Sequence, residues 1–290
     1  MSIEGKRRWA AAAFVALLAL SVVWPSPAVS VNRLCCNASI GADELSSLGR
    51  EAAPWDVAFW CLAGIFALAL LDPSADYREP LRVAQSLRLR PRAADALALL
   101  GAAVLVAAVW LAVDAPVIAW AEHVQSDHVE DVIRIANRFG GGMNPAMVVL
   151  FFLLAGVAFR HRRWIEYAVT MTIAGLGAGL FGQLVKLAVG RSRPELWLGP
   201  FDHARSSASS FPSGHTVGVF ALAGVLVFAS PSRSMRVIAI LLAAAVGLSR
   251  ILAFRHWLSD VVASAAAGLL VAWIVTRSVS QITSEPRRAA

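Results

Sequence analysis

The sequence predicts an all-α fold, a polytopic bundle of membrane helices, and two observations lead to that prediction. Apolar residues make up 58% of the 290 residues and charged residues only 16%, a balance typical of a protein dissolved in lipid. The apolar residues also fall into runs near the roughly 20 residues that a helix needs to cross a bilayer. The chain is therefore expected to be a multi-pass membrane protein.

The apolar runs divide the chain into three predicted parts. Residues 1–93 form an N-terminal extension with two spans and an arginine-rich connector, 94–278 form a core of six helices, and 279–290 form a tail. The eight predicted spans have the approximate bounds 9–29, 57–72, 94–119, 146–159, 165–189, 215–230, 236–254 and 258–276.

The connectors between the spans predict the orientation of the chain. Lysine and arginine are more frequent in the connectors on one side, and cytoplasmic connectors carry such an excess. Both termini are therefore expected in the cytoplasm, and the loop "FPSGHT" at 211–216 outside the cell or in the periplasm.

The basic start, apolar core and "PSPAVS" of the first segment also fit a cleaved signal peptide, although we favour a membrane anchor. The net charge of +7 is spread in short clusters, which argues against nucleic acid as a partner.

Two further patterns concern helix packing. Val129, Val132, Ile133 and Ala136 recur at helical spacing among charges within 122–139, which predicts a helix lying at the membrane interface. In the apolar stretch "GLGAGLFG", Gly175 and Gly179 are expected to let two helices approach closely.

Residues of catalytic type border the outer ends of the later spans. Alternating topology brings these ends to one face of the membrane, and three cations directed at one place are suited to binding a phosphate group. The residues are Lys186, Arg191 and Arg193 after the fifth span, His215 at the start of the sixth, Ser249 and Arg250 at the end of the seventh, and His256 and Asp260 at the start of the eighth.

The segment "PSGH" is expected to begin a helix beside this anion. Ser213 is a favoured N-cap residue, and Gly214 leaves room for a close approach of the backbone. A helix start alone would explain the proline and serine but not His215.

His256 and Asp260 are four residues apart and would share a face if both lay on a helix. A carboxylate that holds one imidazole nitrogen leaves the other free to act as a nucleophile. A simple surface pair of histidine and aspartate is the alternative interpretation.

These residues together resemble a known signature. The patterns K-x6-RP, PSGH and S-R-x5-H-x3-D are similar to the three motifs of the type 2 phosphatidic acid phosphatase superfamily, and the resemblance covers about 94–278. It implies that His256 attacks phosphorus, Asp260 orients it and His215 protonates the leaving group. It also implies a metal-independent enzyme with no cofactor, whose phosphate-binding groups are Lys186, Arg193, Ser213, Gly214 and Arg250.

The function expected from this resemblance is that of a membrane phosphatase. The enzyme would hydrolyse a lipid phosphate or pyrophosphate, such as phosphatidic acid or undecaprenyl pyrophosphate, through a phosphohistidine at the outer face of the plasma or inner membrane. A phosphotransferase that uses the same site and a non-catalytic lipid transporter are the alternatives. The partners expected are the lipid phosphate substrate and membrane lipids.

Overall fold

The computed structural model describes residues 78–86, 89, 91–140, 144–203 and 209–284. Within these ranges the chain is helical and contains no strand, which confirms the predicted all-α class. The two predicted N-terminal spans lie outside the described residues. The helices are α1 (Glu79–Ser86), α2 (Ala93–Ala112), α3 (Asp114–His123), α4 (Asp127–Gly140), α5 (Asn144–Ala158), α6 (Arg162–Val189), α7 (Gly214–Ala229), α8 (Arg233–Leu252) and α9 (Leu258–Ser284).

Four of these helices are long and apolar enough to cross a membrane. They are α2, α6, α8 and the part of α9 from Leu258 to Val279. Helices α5 and α7 are apolar but shorter. Many leucines of α2 and α6 are exposed, and Leu111 of α2 and Leu176 of α6 keep 73% and 71% of their surface accessible. Exposed leucines along an apolar helix are typical of a surface that faces lipid.

The predicted span 94–119 is wrong as a single helix. Helix α2 ends at Ala112 and a second helix, α3, begins at Asp114. Asp114 is fully buried, and its carboxylate is engaged by polar groups of α9 and of the segment after α6. We attribute the end of α2 to Asp114, because a buried carboxylate requires hydrogen-bond donors or a cation as partners.

The described residues divide into two compact units, 78–81 with 146–168 and 82–145 with 169–284. In the first unit, Phe152 contacts Trp164 and Tyr167 edge to face, with ring centroids 6.0 and 5.7 Å apart. Gly156 lies against Ile165, where an added Cβ would come within 2.8 Å of the isoleucine side chain. These contacts hold the end of α5 against the start of α6.

In the second unit, small residues bring α7 and α9 together. A Cβ added to Gly224 of α7 would lie 2.7 Å from the Cβ of Ala272, and one added to Gly268 of α9 would lie 2.7 Å from the carbonyl oxygen of Val217. Gly175 of α6 also faces α7, since its added Cβ would lie 3.3 Å from Leu222. Among the described residues, nothing lies within 4 Å of a Cβ added to Gly179, so the packing predicted there stays a prediction.

The amphipathic segment 122–139 forms the helix α4 within the same unit. Val129 and Ile133 pack against a buried apolar cluster that contains Ile118, Ile251 and Trp257, whereas Val132 is 56% exposed. The apolar face of α4 therefore supports the end of α8 and the start of α9, which carry Arg250 and Asp260.

Candidate active site

The residues predicted for the site lie at one end of the second unit. Lys186 is in the last turn of α6, Arg250 in the last turn of α8, and Asp260 in the first turn of α9. His215 is the second residue of α7. It is near enough to Lys186, Arg193, Arg250 and His256 to interact electrostatically with all four.

His256 and Asp260 are in contact, but not by the geometry that their spacing predicted. Helix α9 begins at Leu258, so His256 precedes the helix and the expectation that both lie on it is wrong. Asp260 Oδ2 accepts a hydrogen bond of 2.9 Å from the backbone N–H of Trp257 and lies 3.5 Å from Nδ1 of His256. The carboxylate of Asp260 thus caps the turn that leads into α9. The same turn places the imidazole of His256 beside this carboxylate.

The environment of His256 favours the neutral imidazole. The residue is only 3% exposed, and burial lowers the pKa of its imidazole below the ordinary value of about 6.5. Asp260 opposes the shift, whereas Arg250 and Lys186 add to it through their positive charge. At neutral pH the ring therefore has one nitrogen without a proton, as a nucleophile requires.

The three cations have different local environments. The backbone carbonyl of Arg250 accepts a hydrogen bond from the backbone N–H of His256 at 3.2 Å. This bond joins the residue that carries the guanidinium to the residue that carries the imidazole. Arg193 Nη1 lies 3.3 Å from Glu195 Oε1. In the part of the chain that the structure describes, Nε of Arg193 is buried without a hydrogen-bond partner, and Nδ1 of His256 lies 3.5 Å from Asp260. A buried polar atom without a partner, such as Nε of Arg193, is typical of a site completed by a ligand.

The segment 213–215 forms the start of α7. Ser213 is the N-cap: its hydroxyl oxygen accepts from the backbone N–H of Thr216 at 3.5 Å and from the Thr216 hydroxyl at 2.9 Å. The Ser213 hydroxyl keeps its own hydrogen to donate. Gly214 is exposed, and within the part of the chain that the structure describes a Cβ there would meet nothing within 4 Å. The first amides of α7 therefore border open space beside His215, an arrangement suited to an anion.

Sequence reasoning missed a buried network that reaches Asp260. Arg191 was expected among the residues that border the outer ends of the spans and was given no role of its own, yet its side chain is 1% exposed. Its Nη1 donates to Asp260 Oδ1 at 2.7 Å, and its Nη2 donates to Asp114 Oδ2 at 2.6 Å. An acid within an apolar run, such as Asp114, is the sequence signal that marks a functional candidate in a membrane protein.

An apolar groove opens next to the site. It has a volume of about 590 Å³ and lies among α2, α6 and α9. Trp110, Phe211 and Pro212 line the groove, and Pro212 directly precedes Ser213. Along α2 the lining runs from Ala98 to Trp110, a length of about 18 Å at the helical rise per residue. The apolar lining and this length suit a hydrocarbon chain.

Within the described ranges, no group of three or more histidine, cysteine, aspartate or glutamate side chains is arranged to hold a metal ion. The carboxylates of Asp114 and Asp260 are paired with Arg191, and that of Glu195 lies beside Arg193.

Comparison with known proteins identifies relatives of this site. Residues 163–284 match the model of the PAP2 superfamily. The lipid A 1-phosphatase of Porphyromonas gingivalis is 36% identical over 160 residues, which cover 50% of this chain and 33% of that protein. The lipid A 1-phosphatase of Rhizobium johnstonii is 37% identical over 113 residues, covering 36% of this chain and 44% of that protein. The chain thus spans less than half the length of these curated relatives.

A solved structure shares the fold. The PAP2 type phosphatidylglycerolphosphate phosphatase from Bacillus subtilis matches with a TM-score of 0.54 and 22% identity, over 67% of this chain and 98% of that chain. The resemblance predicted from the three motifs is confirmed by the family match, which includes all three. The chain is therefore a multi-pass membrane protein whose residues 163–284 match the PAP2 superfamily.

Proposed function

We propose that the protein is an integral membrane phosphatase that hydrolyses a lipid phosphate or pyrophosphate through a phosphohistidine at His256. The observation that carries the proposal is the buried contact between His256 and Asp260, 3.5 Å apart, under the positive charge of Lys186 and Arg250. Phosphoryl transfer needs a nucleophile in line with the leaving group and neutralisation of the charge on the equatorial oxygens. The cluster offers both.

Each residue then has a defined task in the reaction. Lys186, Arg193 and Arg250 bind the phosphoryl oxygens, assisted by the hydroxyl of Ser213 and the amide of Gly214. The Nε2 atom of His256 attacks phosphorus while the bond to the lipid oxygen breaks, and His215 gives its proton to that oxygen. Water then attacks the phosphohistidine, His215 takes up one proton from the water, and inorganic phosphate leaves as the nitrogen–phosphorus bond breaks.

The surroundings of the site support a lipid substrate. The apolar groove beside Phe211 and Pro212 can receive an acyl or prenyl chain while the phosphate lies among the cations. Helix α7 has 16 residues, a length of about 24 Å, whereas the hydrocarbon core of a bilayer is about 30 Å thick. Because the site residues lie at the ends of α6 and α8 and at the starts of α7 and α9, we infer that the site lies near the lipid headgroups. From the distribution of basic residues, we infer that this end faces the periplasm or outside and that both termini are cytoplasmic.

The relatives suggest which lipid to test first. Two of them carry the name lipid A 1-phosphatase, and we propose the phosphate at position 1 of lipid A as the first candidate substrate. The same site chemistry suits phosphatidylglycerophosphate, phosphatidic acid and undecaprenyl pyrophosphate, since it binds the phosphate rather than the group that carries it.

The test is phosphate release by the purified full chain in detergent, with the four lipids supplied separately and EDTA in excess. We expect release from at least one lipid, and a His256→Ala variant should lose about a thousandfold or more in kcat, as for removal of a nucleophile. His128→Ala, which removes an exposed histidine of α4, is the matched control and should retain the wild-type rate. Release by His256→Ala at the wild-type rate would refute the proposal.

A second measurement distinguishes hydrolysis from phosphotransfer. The enzyme is incubated with the preferred substrate in the presence and absence of a second lipid or sugar with free hydroxyl groups. Release of one inorganic phosphate per substrate consumed, unchanged by the acceptor, supports a hydrolase. A phosphorylated acceptor formed in place of free phosphate would show a phosphotransferase.

A further inference from the structure

We propose that Arg191 and Asp114 form a positioning clamp for the His256–Asp260 pair, a role that rests on the proposed function. The two residues have no place among the expected phosphate-binding groups, and both are buried. The clamp is defined as the guanidinium of Arg191 with the carboxylate of Asp114, joined at 2.6 Å. It acts on the reaction through Asp260 and does not contact the substrate.

The first argument is that every nitrogen of the guanidinium is committed. Nε donates to the carbonyl of Pro200 at 2.8 Å, Nη1 to Ser259 Oγ and Asp260 Oδ1 at 2.6 and 2.7 Å, and Nη2 to Asp114 Oδ2 at 2.6 Å. A planar fork with fixed donors at these distances allows little rotation. Four of the five N–H donors of Arg191 are thus engaged within the protein and its side chain is 1% exposed, whereas Nε of Arg193 is buried without a partner.

The second argument is that the clamp sets the direction of the Asp260 carboxylate. Arg191 occupies Oδ1, so Oδ2 is the oxygen that remains for the backbone N–H of Trp257 and for Nδ1 of His256. A rotation of the carboxylate would break the bonds to Arg191 and Trp257 together. The imidazole is thereby held with Nδ1 toward Asp260, and Nε2 is left to attack phosphorus.

The third argument is that Asp114 holds the helix that carries Asp260. Its Oδ1 accepts the backbone N–H of Ser259 at 2.8 Å, and its Oδ2 contacts the Ser259 hydroxyl at 2.5 Å. Asp114 thus caps the first turn of α9 from another helix, and a carboxylate at a helix N-terminus is favourable. One side chain fixes both Arg191 and the first turn of α9.

The fourth argument is that aromatic rings confine the guanidinium. The Cζ atom of Arg191 lies 4.0 Å from the centre of the Trp110 ring and 5.0 Å from that of Trp257. The indole N–H of Trp110 also donates to the carbonyl of Pro200 at 2.9 Å, the same oxygen that accepts from Arg191. Arginine suits such a stacked and forked position, and lysine cannot replace it without loss of contacts.

The experiment compares Arg191→Lys with the wild-type protein in the phosphate-release assay. The variant keeps the positive charge but loses the fork, and displacement of a reacting group by about 1 Å lowers rates about 100-fold. We expect kcat to fall roughly 10- to 100-fold, while KM and the inhibition constant of inorganic phosphate stay within about twofold, because Lys186, Arg193 and Arg250 are untouched. An unchanged kcat, or equal losses in kcat and in phosphate binding, would overturn the proposal.

A double-mutant cycle shows whether the clamp acts through Asp260. If it does, Arg191→Lys combined with Asp260→Asn should be no slower than Asp260→Asn alone, since the group being positioned is already impaired. Multiplication of the two single effects would overturn the proposal. Asp114→Asn is the second variant, with a loss confined to kcat expected again, and it serves if Arg191→Lys does not fold.

Arg277→Lys is the matched control for the loss of a buried arginine–carboxylate pair. Arg277 lies 2.8 Å from Asp95, with side chains 11% and 7% exposed, and the pair joins the start of α2 to α9 away from the site. It should keep the wild-type kcat, and a loss equal to that of Arg191→Lys would overturn the proposal. A wild-type protein that releases no phosphate from any lipid would instead refute the proposed function, and the clamp with it.

Discussion

The contact between α7 and α9 at Gly268 provides a steric test of how accurately the site is positioned. A Cβ at Gly268 would lie 2.7 Å from the carbonyl oxygen of Val217, 2.8 Å from the backbone nitrogen of Ala221 and 3.0 Å from the Cβ of Phe220. Two of these atoms belong to the backbone of α7 and cannot rotate away. Ordinary contact begins near 3.4 Å, so Gly268→Ala must separate the helices by roughly 0.7 Å.

The expected magnitudes follow from that separation. Overpacking lowers stability by about 1–3 kcal/mol, and we expect the upper part of this range because the clash is with backbone. Val217 is about one turn from Ser213 and two residues from His215, so the displacement reaches the start of α7. A shift approaching 1 Å lowers the rate about 100-fold, and we therefore expect kcat to fall roughly 10- to 100-fold.

The assay combines thermal unfolding in detergent, followed by tryptophan fluorescence, with phosphate release below the unfolding transition. Gly179→Ala is the control, since its added Cβ meets no atom of the described residues within 4 Å, and it should lose neither stability nor rate. Wild-type stability and kcat in Gly268→Ala, or equal damage in Gly179→Ala, would refute the reasoning that this close helix contact positions the site.

Three further predictions concern the chemistry. Burial lowers the pKa of His256, so the nucleophile stays neutral at pH values just below the ordinary pKa of about 6.5. We expect kcat/KM to stay constant in that pH range and to fall about tenfold per pH unit as the pH drops through the lowered pKa. Arg250→Lys loses a forked donor and should weaken inhibition by inorganic phosphate about tenfold or more, measured by competition. Ala267→Phe fills the groove and should abolish turnover of a long-chain lipid phosphate but spare p-nitrophenyl phosphate; equal loss with both would contradict a chain-binding role.

Much of the fold was predictable because the signals are local. Apolar runs identify the helices of the core through composition alone, and Ser213 was expected as an N-cap from its residue type, as the structure has it. The meeting of Lys186, His215, Arg250 and Asp260 at one end of the helices follows from their positions at the ends of successive spans. None of these inferences needs knowledge of which side chains touch.

Errors arose where a helix boundary depends on contacts elsewhere. The run 94–119 reads as one apolar helix, but Asp114 bonds to Ser259, 145 residues away, and a new helix starts there. His256 and Asp260 have the spacing of a helical pair, yet the pair is built at a helix start because Asp260 accepts the N–H of Trp257. Local patterns cannot distinguish these cases, since they contain no information about the distant partner.

The sequence by itself determined that this is a helical membrane protein and predicted a phosphate-binding set of cations and two histidines, because composition and motif spacing reflect the demands of lipid and of phosphoryl chemistry directly. Only the tertiary structure decided that Arg191 is an internal group rather than a phosphate ligand, and that an apolar groove borders Phe211 and Pro212. The physical reason is that burial and cavities depend on how several helices pack together. Two arginines two residues apart look alike in the chain, and only their surroundings separate Arg191 from Arg193.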